Sequence, residues 1–207
     1  IGGVLDMLAS EFSFLLFGVN VNVRNSIAIF FGIIGGPAAG IGVGLIGGAY
    51  RTAGIWWSGF TGNLGYMTAL GCGIATIGAG FVGARLNKRG IDVMRLDLKN
   101  VGFVVFVVAV WEIIDMLVIN PLLVPFFSDL DYAGALRLLG ENMLLPMILG
   151  NCFTIFVLAL VAIDTVKNRK MEMERRELLE KMVSKYEEYI GPVAKTIARD
   201  VIEKEKK

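Results

Sequence analysis

Long apolar segments constrain this chain more than any other feature, because stacked apolar runs of this kind exceed what a soluble core requires. A helix needs about 20 apolar residues to cross the roughly 30 Å hydrocarbon core of a bilayer. The sequence contains five segments of about that length: Ile1–Val19, Ser26–Tyr50, Gly65–Ala84, Val101–Val118 and Asn142–Ile163. It therefore predicts an all-α, polytopic membrane helix bundle that is embedded in the lipid bilayer, its expected partner. The first segment is the weakest prediction, because Asp6 and Glu11 lie in it.

Charge divides the chain into two predicted domains. Residues 1–163 carry eight Lys/Arg and nine Asp/Glu, whereas residues 164–207 carry twelve and ten. We therefore expect a transmembrane domain over 1–163 and a juxtamembrane helical tail over 164–207. The net charge of +1 predicts no nucleic-acid partner.

Basic residues also predict the orientation. The connection after the third segment and the start of the tail are rich in Lys and Arg: Arg85, Lys88, Arg89, Arg95, Lys99, Lys167, Arg169 and Lys170. By the positive-inside rule both regions are cytoplasmic, which places the protein in the cell membrane with Ile1 outside. Trp56 and Trp57 are typical of the outer interface.

The tail is predicted to be helical. Apolar residues recur in it at spacings of three and four: Leu179, Met182, Tyr186, Tyr189 and Val193. The Gly191-Pro192 pair favours a break between two helices. A solvated helix and a dimeric coiled coil both fit this pattern, so a homodimer stays an open alternative.

Several residue types argue against catalysis in this chain. Histidine is absent, which excludes a histidine phosphoacceptor and histidine metal ligands here. Cys72 and Cys152 lie inside apolar runs, where a disulfide is not expected. We therefore predict no enzyme activity, no cofactor and no metal site, and we expect any kinase or cyclase to lie elsewhere. Because Ile1 is not preceded by methionine, we also expect a further upstream segment.

Glycines recur every four residues in the second segment, at Gly32, Gly36, Gly40, Gly44 and Gly48. Small residues at this interval let membrane helices approach closely, and the third segment is the expected neighbour, ahead of a second copy of the chain. Gly35-Gly36-Pro37 combines two permissive residues with one that lacks a backbone N–H, which predicts a helix break and a cavity beside it.

Arg24 and Arg51 are the basic residues nearest this break. A guanidinium group binds carboxylates bidentately, so the pair favours an anionic ligand, although both could instead reach lipid headgroups. They are 27 residues apart, which is about 40 Å along one continuous helix. They can share a ligand only if the helix breaks near Pro37.

Buried acids are expected in the fourth segment. Glu112 and Asp115 lie three residues apart and so share one helix face, which should point into the bundle. They could pair with an arginine, accept a proton, or mark a ligand or cation path. The fifth segment offers weaker polar candidates: Asn142, Asn151, Cys152 and Thr154.

Three stretches together resemble the membrane domain of LytS/YhcK-type five-transmembrane receptors. They are NVRNSIAIFFGIIGGPAAGIGVGLIGGAYR, TALGCGIATIGAGFVGARL and LLPMILGNCFTIFV, in the family's order. The resemblance implies a six-helix sensor input domain that normally precedes a kinase or cyclase, and in some members detects small carboxylates such as pyruvate. Carried over by position, its ligand site would include Arg24, Arg51 and Cys72. Two departures are Ala75, where some members have serine, and the longer connection TAGIWWSGFTGNLGYM.

Two functions from different classes therefore compete, ahead of a third alternative, a structural or scaffold protein whose helices only oligomerise. In the first, the chain is a receptor domain that binds a small anion and relays a helix shift to a signalling partner. In the second, it is the substrate-binding membrane subunit of a vitamin-type importer. The charged tail of about 40 residues favours the receptor, because an importer subunit gains little from it.

Overall fold

The computed structural model describes residues 1–11, 13–57, 64–91, 98–126 and 128–190. The chain forms two compact units, Ile1–Ile163 and Asp164–Lys207. Its elements in chain order are α1 Gly2–Glu11, β1 Phe14–Leu16, β2 Val19–Val21, α2 Arg24–Trp57, α3 Leu64–Lys88, α4 Leu98–Ile114, a π-helical turn Asp115–Ile119, α5 Asn120–Leu123, a 3-10 turn Val124–Phe126, α6 Tyr132–Asn142 and α7 Leu144–Ile190.

By length and composition, four helical stretches in the described ranges are candidates for crossing a membrane: Arg24–Ala53, Thr68–Lys88, Lys99–Phe126 and Leu144–Tyr186. The first of them is not one straight helix, because its backbone breaks at Gly36. The chain is thus a polytopic helix bundle, as predicted. Its main apolar core lies between the start of α2, α3, α4 and the start of α7, and includes Ile29, Ile33, Val104, Val108 and Ile155.

The first predicted segment, Ile1–Val19, requires a correction. Its helix α1 has 10 residues, which is about half of the rise needed to cross the hydrocarbon core. The chain then forms an antiparallel hairpin in which Phe14 pairs with Val21 and Leu16 with Val19. Phe17 and Gly18 both have positive φ at its turn, the geometry that suits a two-residue hairpin loop.

The helix α2 is broken where the Gly-Gly-Pro stretch predicted it. Gly36 has φ 74° and ψ −168°, which are not helical values. A Cβ added to Gly40 would lie 2.5 Å from Gly32 Cα, whereas eight residues of one continuous helix span about 12 Å. The chain therefore folds back at Gly36 into a first arm (residues 24–35) and a second arm (residues 37–57). The five glycines do not form the single continuous ridge expected from their spacing.

Both arms pack against α3. In the first arm, Asn25 is level with Thr76 and Ile33 with Asn87, so this arm is parallel to α3. The second arm is antiparallel, with close backbone approaches of Gly40 to Gly80, Gly44 to Thr76 and Gly48 to Gly73. Added Cβ atoms would meet backbone atoms at these places, which confirms the predicted intramolecular packing.

The stretch from Leu98 to Phe126 changes helix type at Asp115. Pro121 has no N–H with which to bond the carbonyl of Leu117, and the Tyr132 hydroxyl donates to that carbonyl at 3.3 Å. The π-helical turn precedes this proline, and such turns often occur at functional sites.

The last helix, α7, begins at Leu144. Asn142 is instead the last residue of α6, so the prediction that the fifth segment begins at Asn142 is wrong. The prediction that the tail is helical is confirmed over its described part, up to Ile190. Met182, Tyr186 and Tyr189 are exposed there. The predicted break at Gly191-Pro192, and Val193, lie outside the described residues.

Candidate ligand-binding site

The fold of α2 brings its two arginines to the same end of the bundle. Arg24 begins the first arm and Arg51 lies in the second, and their charges interact directly. Cys72 of α3 lies within the electrostatic range of both. The three residues that the family resemblance implied therefore come together, through a single reversal at Gly36.

Arg24 is a buried cation with few partners. Its side chain is 2% exposed, and its Nε donates to the neutral Asn22 Oδ1 at 3.0 Å. Its Nη1 is buried without a hydrogen bond, and no carboxylate among the described residues forms an ion pair with it. Burying a charge without compensation is costly, so this environment favours an anion beside Arg24.

Asn25 joins three helices by its side chain. Its Nδ2 donates to Glu112 Oε1 at 2.9 Å and to Asp115 Oδ2 at 3.0 Å. Its Oδ1 accepts from Thr76 Oγ1 at 3.1 Å. One amide thus connects the first arm of α2 to α3, α4 and the π-helical turn.

The two acids face the interior, as predicted, with exposures of 0% for Glu112 and 1% for Asp115. Asp115 Oδ1 also accepts from Asn120 Nδ2 at 2.6 Å. Asn120 in turn contacts the thiol of Cys72, with Oδ1 and Sγ 3.9 Å apart. Neither acid forms an ion pair with an arginine in the described part of the chain; the charge of Arg24 acts on both through space.

Ser26 connects the same arm to α7. Its Oγ lies 2.7 Å from Asn151 Oδ1 and 2.8 Å from the Asn151 carbonyl oxygen. Asn151 Nδ2 donates to the carbonyl oxygen of Asn22 at 3.1 Å. Asn151 is therefore part of the polar network, although its predicted contact with a ligand remains a prediction.

Three consecutive residues thus have three different partners. Arg24 lies in the charged region, Asn25 hydrogen-bonds to the acids, and Ser26 bonds to α7. These three residues directly follow the Asn20–Val23 stretch, so the β-hairpin adjoins the site along the chain. Its buried Val21 packs with Met116 and Met147 in an apolar cluster beside the polar network.

A third acid lies near this network. Asp6 of α1 is 0% exposed, and its carboxyl group occupies the space that a side chain at Gly47 would need. Neither of its carboxyl oxygens has a hydrogen bond to a described residue, and its charge interacts with that of Arg24. The sequence argument treated Asp6 only as a weakness of the first segment.

The weaker predictions separate from the site. Asn142 is exposed at the end of α6, where its side chain bonds to Leu138 O. Cys152 donates to Val105 O at 3.7 Å, and both cysteines are free, as predicted. Gly35, Gly36, Pro37, Gly40 and Gly44 build the break and the packing against α3.

Four residues that the sequence argument missed carry much of the network: Asn25, Ser26, Thr76 and Asn120. A usable signal existed for three of them. Asn25 and Ser26 follow Arg24 at the start of an apolar run, and Asn120 precedes a proline within another. Polar residues in such runs tend to face the bundle interior.

The comparisons with known proteins agree with the sequence resemblance. The family model 5TM-5TMR_LYT, described as the 5TMR of 5TMR-LYT, matches residues 3–165. The sensor histidine kinases BtsS of Escherichia coli (strain K12) and of Shigella flexneri are each 33% identical to this chain over 134 residues. That match covers 63% of this chain and 20% of each relative. No solved structure matches the chain.

The family match extends over nearly all of the helices that build the site, from α1 into α7. The chain therefore belongs to the 5TM-5TMR_LYT family and is a multi-pass membrane sensor domain related to those of LytS-type two-component histidine kinases.

Proposed function

We propose that this domain binds a small anion, a carboxylate such as pyruvate, between Arg24, Arg51 and Cys72. Binding would shift the packing of the first arm of α2, and α7 would relay that shift to a signalling partner. The domain would lie in the inner membrane with residues 164–207 in the cytoplasm. A catalytic step belongs to that partner or to another segment of the protein.

The observation that supports this proposal best is the environment of Arg24. This guanidinium is 2% exposed, and among the described residues its one hydrogen-bond partner is a neutral amide, while its buried Nη1 has none. Arg51 adds a second positive charge close to the first. A carboxylate would supply two acceptor oxygens to the guanidinium in the geometry that arginine prefers.

The site favours a small ligand over a large one. Thr76, Glu112 and Asp115 of the same polar network are almost fully buried, and Val21, Met116 and Met147 form a buried apolar cluster. An anion bound there would lose most of its water, which strengthens its interaction with arginine. The same burial disfavours headgroup contact by Arg24, the main alternative use of an arginine at a membrane.

The proposed relay depends on the contacts of Ser26. Any ligand that moves Arg24 also strains the neighbouring Ser26, whose hydroxyl is within 2.8 Å of two oxygens of Asn151. Asn151 is part of α7, and the same helix includes the residues that follow Asp164. A shift of α7 requires that the anion bind one packing of the helices more tightly than the other.

The relay would need a recipient. A second copy of the chain could supply it through the exposed apolar residues Met182, Tyr186 and Tyr189 of the tail. A separate signalling protein, of the kind that two-component systems use, could instead bind the same surface.

The test uses the purified full chain in detergent or lipid nanodiscs with a panel of small carboxylates that includes pyruvate. Ligand at 100 times its Kd should raise the free energy of unfolding by about 2.7 kcal/mol. Arg24→Ala and Arg51→Ala should abolish that gain. Arg137→Ala is the matched control, because Arg137 is exposed and pairs with Glu141 on its own helix.

Two results would contradict the proposal. In the first, no carboxylate stabilises the wild-type chain. In the second, Arg137→Ala reduces the gain as much as Arg24→Ala does. Stable association with an ATPase module, together with uptake of a vitamin-like solute, would instead favour the importer alternative.

A further inference from the structure

Glu112 and Asp115 share a single hydrogen-bond donor inside the bundle. Asn25 Nδ2 lies 2.9 Å from Glu112 Oε1 and 3.0 Å from Asp115 Oδ2. The two carboxyl groups are therefore neighbours around one nitrogen. Both side chains are almost completely buried, at 0% and 1% exposure.

Their hydrogen bonding is not equivalent. Asp115 accepts at both oxygens, from Asn25 and from Asn120 at 2.6 Å, which suits an ionised carboxylate. Glu112 accepts at Oε1 only, and its buried Oε2 has no partner among the described residues. Glu112 is thus the carboxyl group whose negative charge receives less support.

Three titratable or charged groups interact with the pair. The charge of Arg24 acts on both acids, Asp115 acts on Cys72, and Glu112 acts on Cys152 of α7. Arg51 acts on Arg24 and Cys72. None of the described cations forms an ion pair with either acid. Two adjacent carboxylates in such a site repel each other, and one shared proton removes that repulsion.

We propose that Glu112 is a proton-binding site and that its protonation is coupled to binding of the anion beside Arg24. This inference rests on the proposed function and concerns its regulation. Asp115 keeps its charge through its two amide donors, and Glu112 takes up or releases the proton. The domain would then respond to the anion and to acidity together.

The direction of the coupling follows from charge. An anion next to Arg24 adds negative charge near Glu112, which favours the protonated form of the acid. By reciprocity, protonated Glu112 favours the anion, so the affinity falls as the pH rises. Coupling to one proton limits the change to about tenfold in Kd per pH unit.

The first experiment uses the wild-type chain and pyruvate as the probe. Calorimetric titration in two buffers of different ionisation enthalpy, across a range of pH, reports protons taken up on binding. We expect uptake of up to one proton and a Kd that increases with pH. Binding of pyruvate with a constant Kd and no proton uptake would overturn the inference while leaving the proposed function intact.

The second experiment uses Glu112→Gln, which resembles the protonated acid. We expect this variant to bind pyruvate at every pH as tightly as the wild type does at low pH, without proton uptake. Glu141→Gln is the matched control, because Glu141 is exposed on α6 and should leave the wild-type pH profile unchanged.

The outcomes separate the two proposals. An unchanged pH profile in Glu112→Gln would refute the role of this residue. If that variant fails to fold, Asp6→Asn decides instead, because Asp6 is the other buried carboxyl group whose charge interacts with Arg24. Proton uptake on binding should persist in Asp6→Asn, and its loss there would refute the role of Glu112. Failure of pyruvate and of the other carboxylates to bind at any pH would end both proposals.

Discussion

Gly32 and Gly40 lie against each other across the fold of α2, although eight residues separate them in the sequence. The contact exists because Gly36 adopts a positive φ and reverses the helix. It allows Arg24 and Arg51 to approach the same end of the bundle, where their charges interact. The proposed ligand site would therefore depend on backbone packing some distance from either arginine.

Substitution of Gly40 by alanine should destabilise the domain. A Cβ at this position would meet the carbonyl oxygen of Gly80 at 2.6 Å and Gly32 Cα at 2.5 Å. Overpacking of this kind costs about 1–3 kcal/mol. Gly42→Ala is the control, because nothing lies within 4 Å of its Cβ position, and alanine is favoured over glycine in a helix by about 0.8–1.0 kcal/mol. Thermal unfolding in detergent should show a lower Tm for Gly40→Ala and no such decrease for Gly42→Ala. Equal Tm values in the two variants would contradict the packing.

Alanine at Gly36 should weaken both the fold and the response to anions. The angles of Gly36, φ 74° and ψ −168°, lie in a region that essentially only glycine adopts, so a residue with a Cβ there costs about 1–3 kcal/mol. Relief of that strain would open the angle between the arms and separate the arginines. We expect a lower Tm and a smaller stabilisation by pyruvate in Gly36→Ala than in Gly102→Ala. Gly102 is the control because nothing lies within 4 Å of its Cβ position. A full wild-type response in Gly36→Ala would argue against the role of the fold-back.

Removal of the Asn25 amide should be much more harmful than removal of a surface amide. Alanine here leaves Glu112 Oε1 without its donor and takes one of two donors from Asp115. A buried polar group that loses its partner costs about 1–3 kcal/mol. Asn168→Ala serves as the control, because Asn168 is exposed and bonds to Asp164 within the same helix. Chemical denaturation should distinguish the two variants clearly, and equal stabilities would disprove the bridging role.

Ser26 and Asn151 should be energetically coupled. The single variants Ser26→Ala and Asn151→Ala each break the contact, so the double variant should lose less than their sum. Hydrogen bonds inside membrane bundles are typically worth about 0.6 kcal/mol and at most about 1.7. Ser26→Ala combined with Asn168→Ala should be additive instead. If the effects of Ser26→Ala and Asn151→Ala are additive as well, the contact between these residues does not contribute to the proposed relay.

The same pair offers a functional readout. In the full protein with its signalling partner, Ser26→Ala should retain anion binding and reduce the signal that follows it. Loss of binding together with the signal would mean that Ser26 supports the site itself rather than the relay.

Local chemistry explains why much of the fold was predictable. Apolar runs must be buried in lipid, Gly35-Gly36-Pro37 cannot continue a helix easily, and carboxylates in an apolar run must face inward. These properties depend on neighbouring residues and on the solvent. The break, the packing of α2 on α3, the buried acids and the helical tail all followed from them.

Prediction was weaker where short-range patterns were ambiguous. The segment Ile1–Val19 has enough apolar residues for a span. However, its helix ends at Glu11, and the turn at Phe17-Gly18 folds the following residues into a hairpin. Asn142 follows the polar residues of α6 and stays outside the last helix. Hydropathy alone does not distinguish these arrangements.

By itself, the sequence determined that this chain is a membrane helix bundle with a charged helical tail, a break in α2 and two buried acids. Only the tertiary structure decided that Arg24, Arg51 and Cys72 meet, and that Asn25 and Ser26 join them to α4 and α7. The physical reason is the backbone of Gly36, because the direction of the second arm depends on one φ angle that glycine can adopt on either side of zero. Contacts between residues as far apart as Ser26 and Asn151 follow from that angle and from the packing it permits, and no local pattern encodes them.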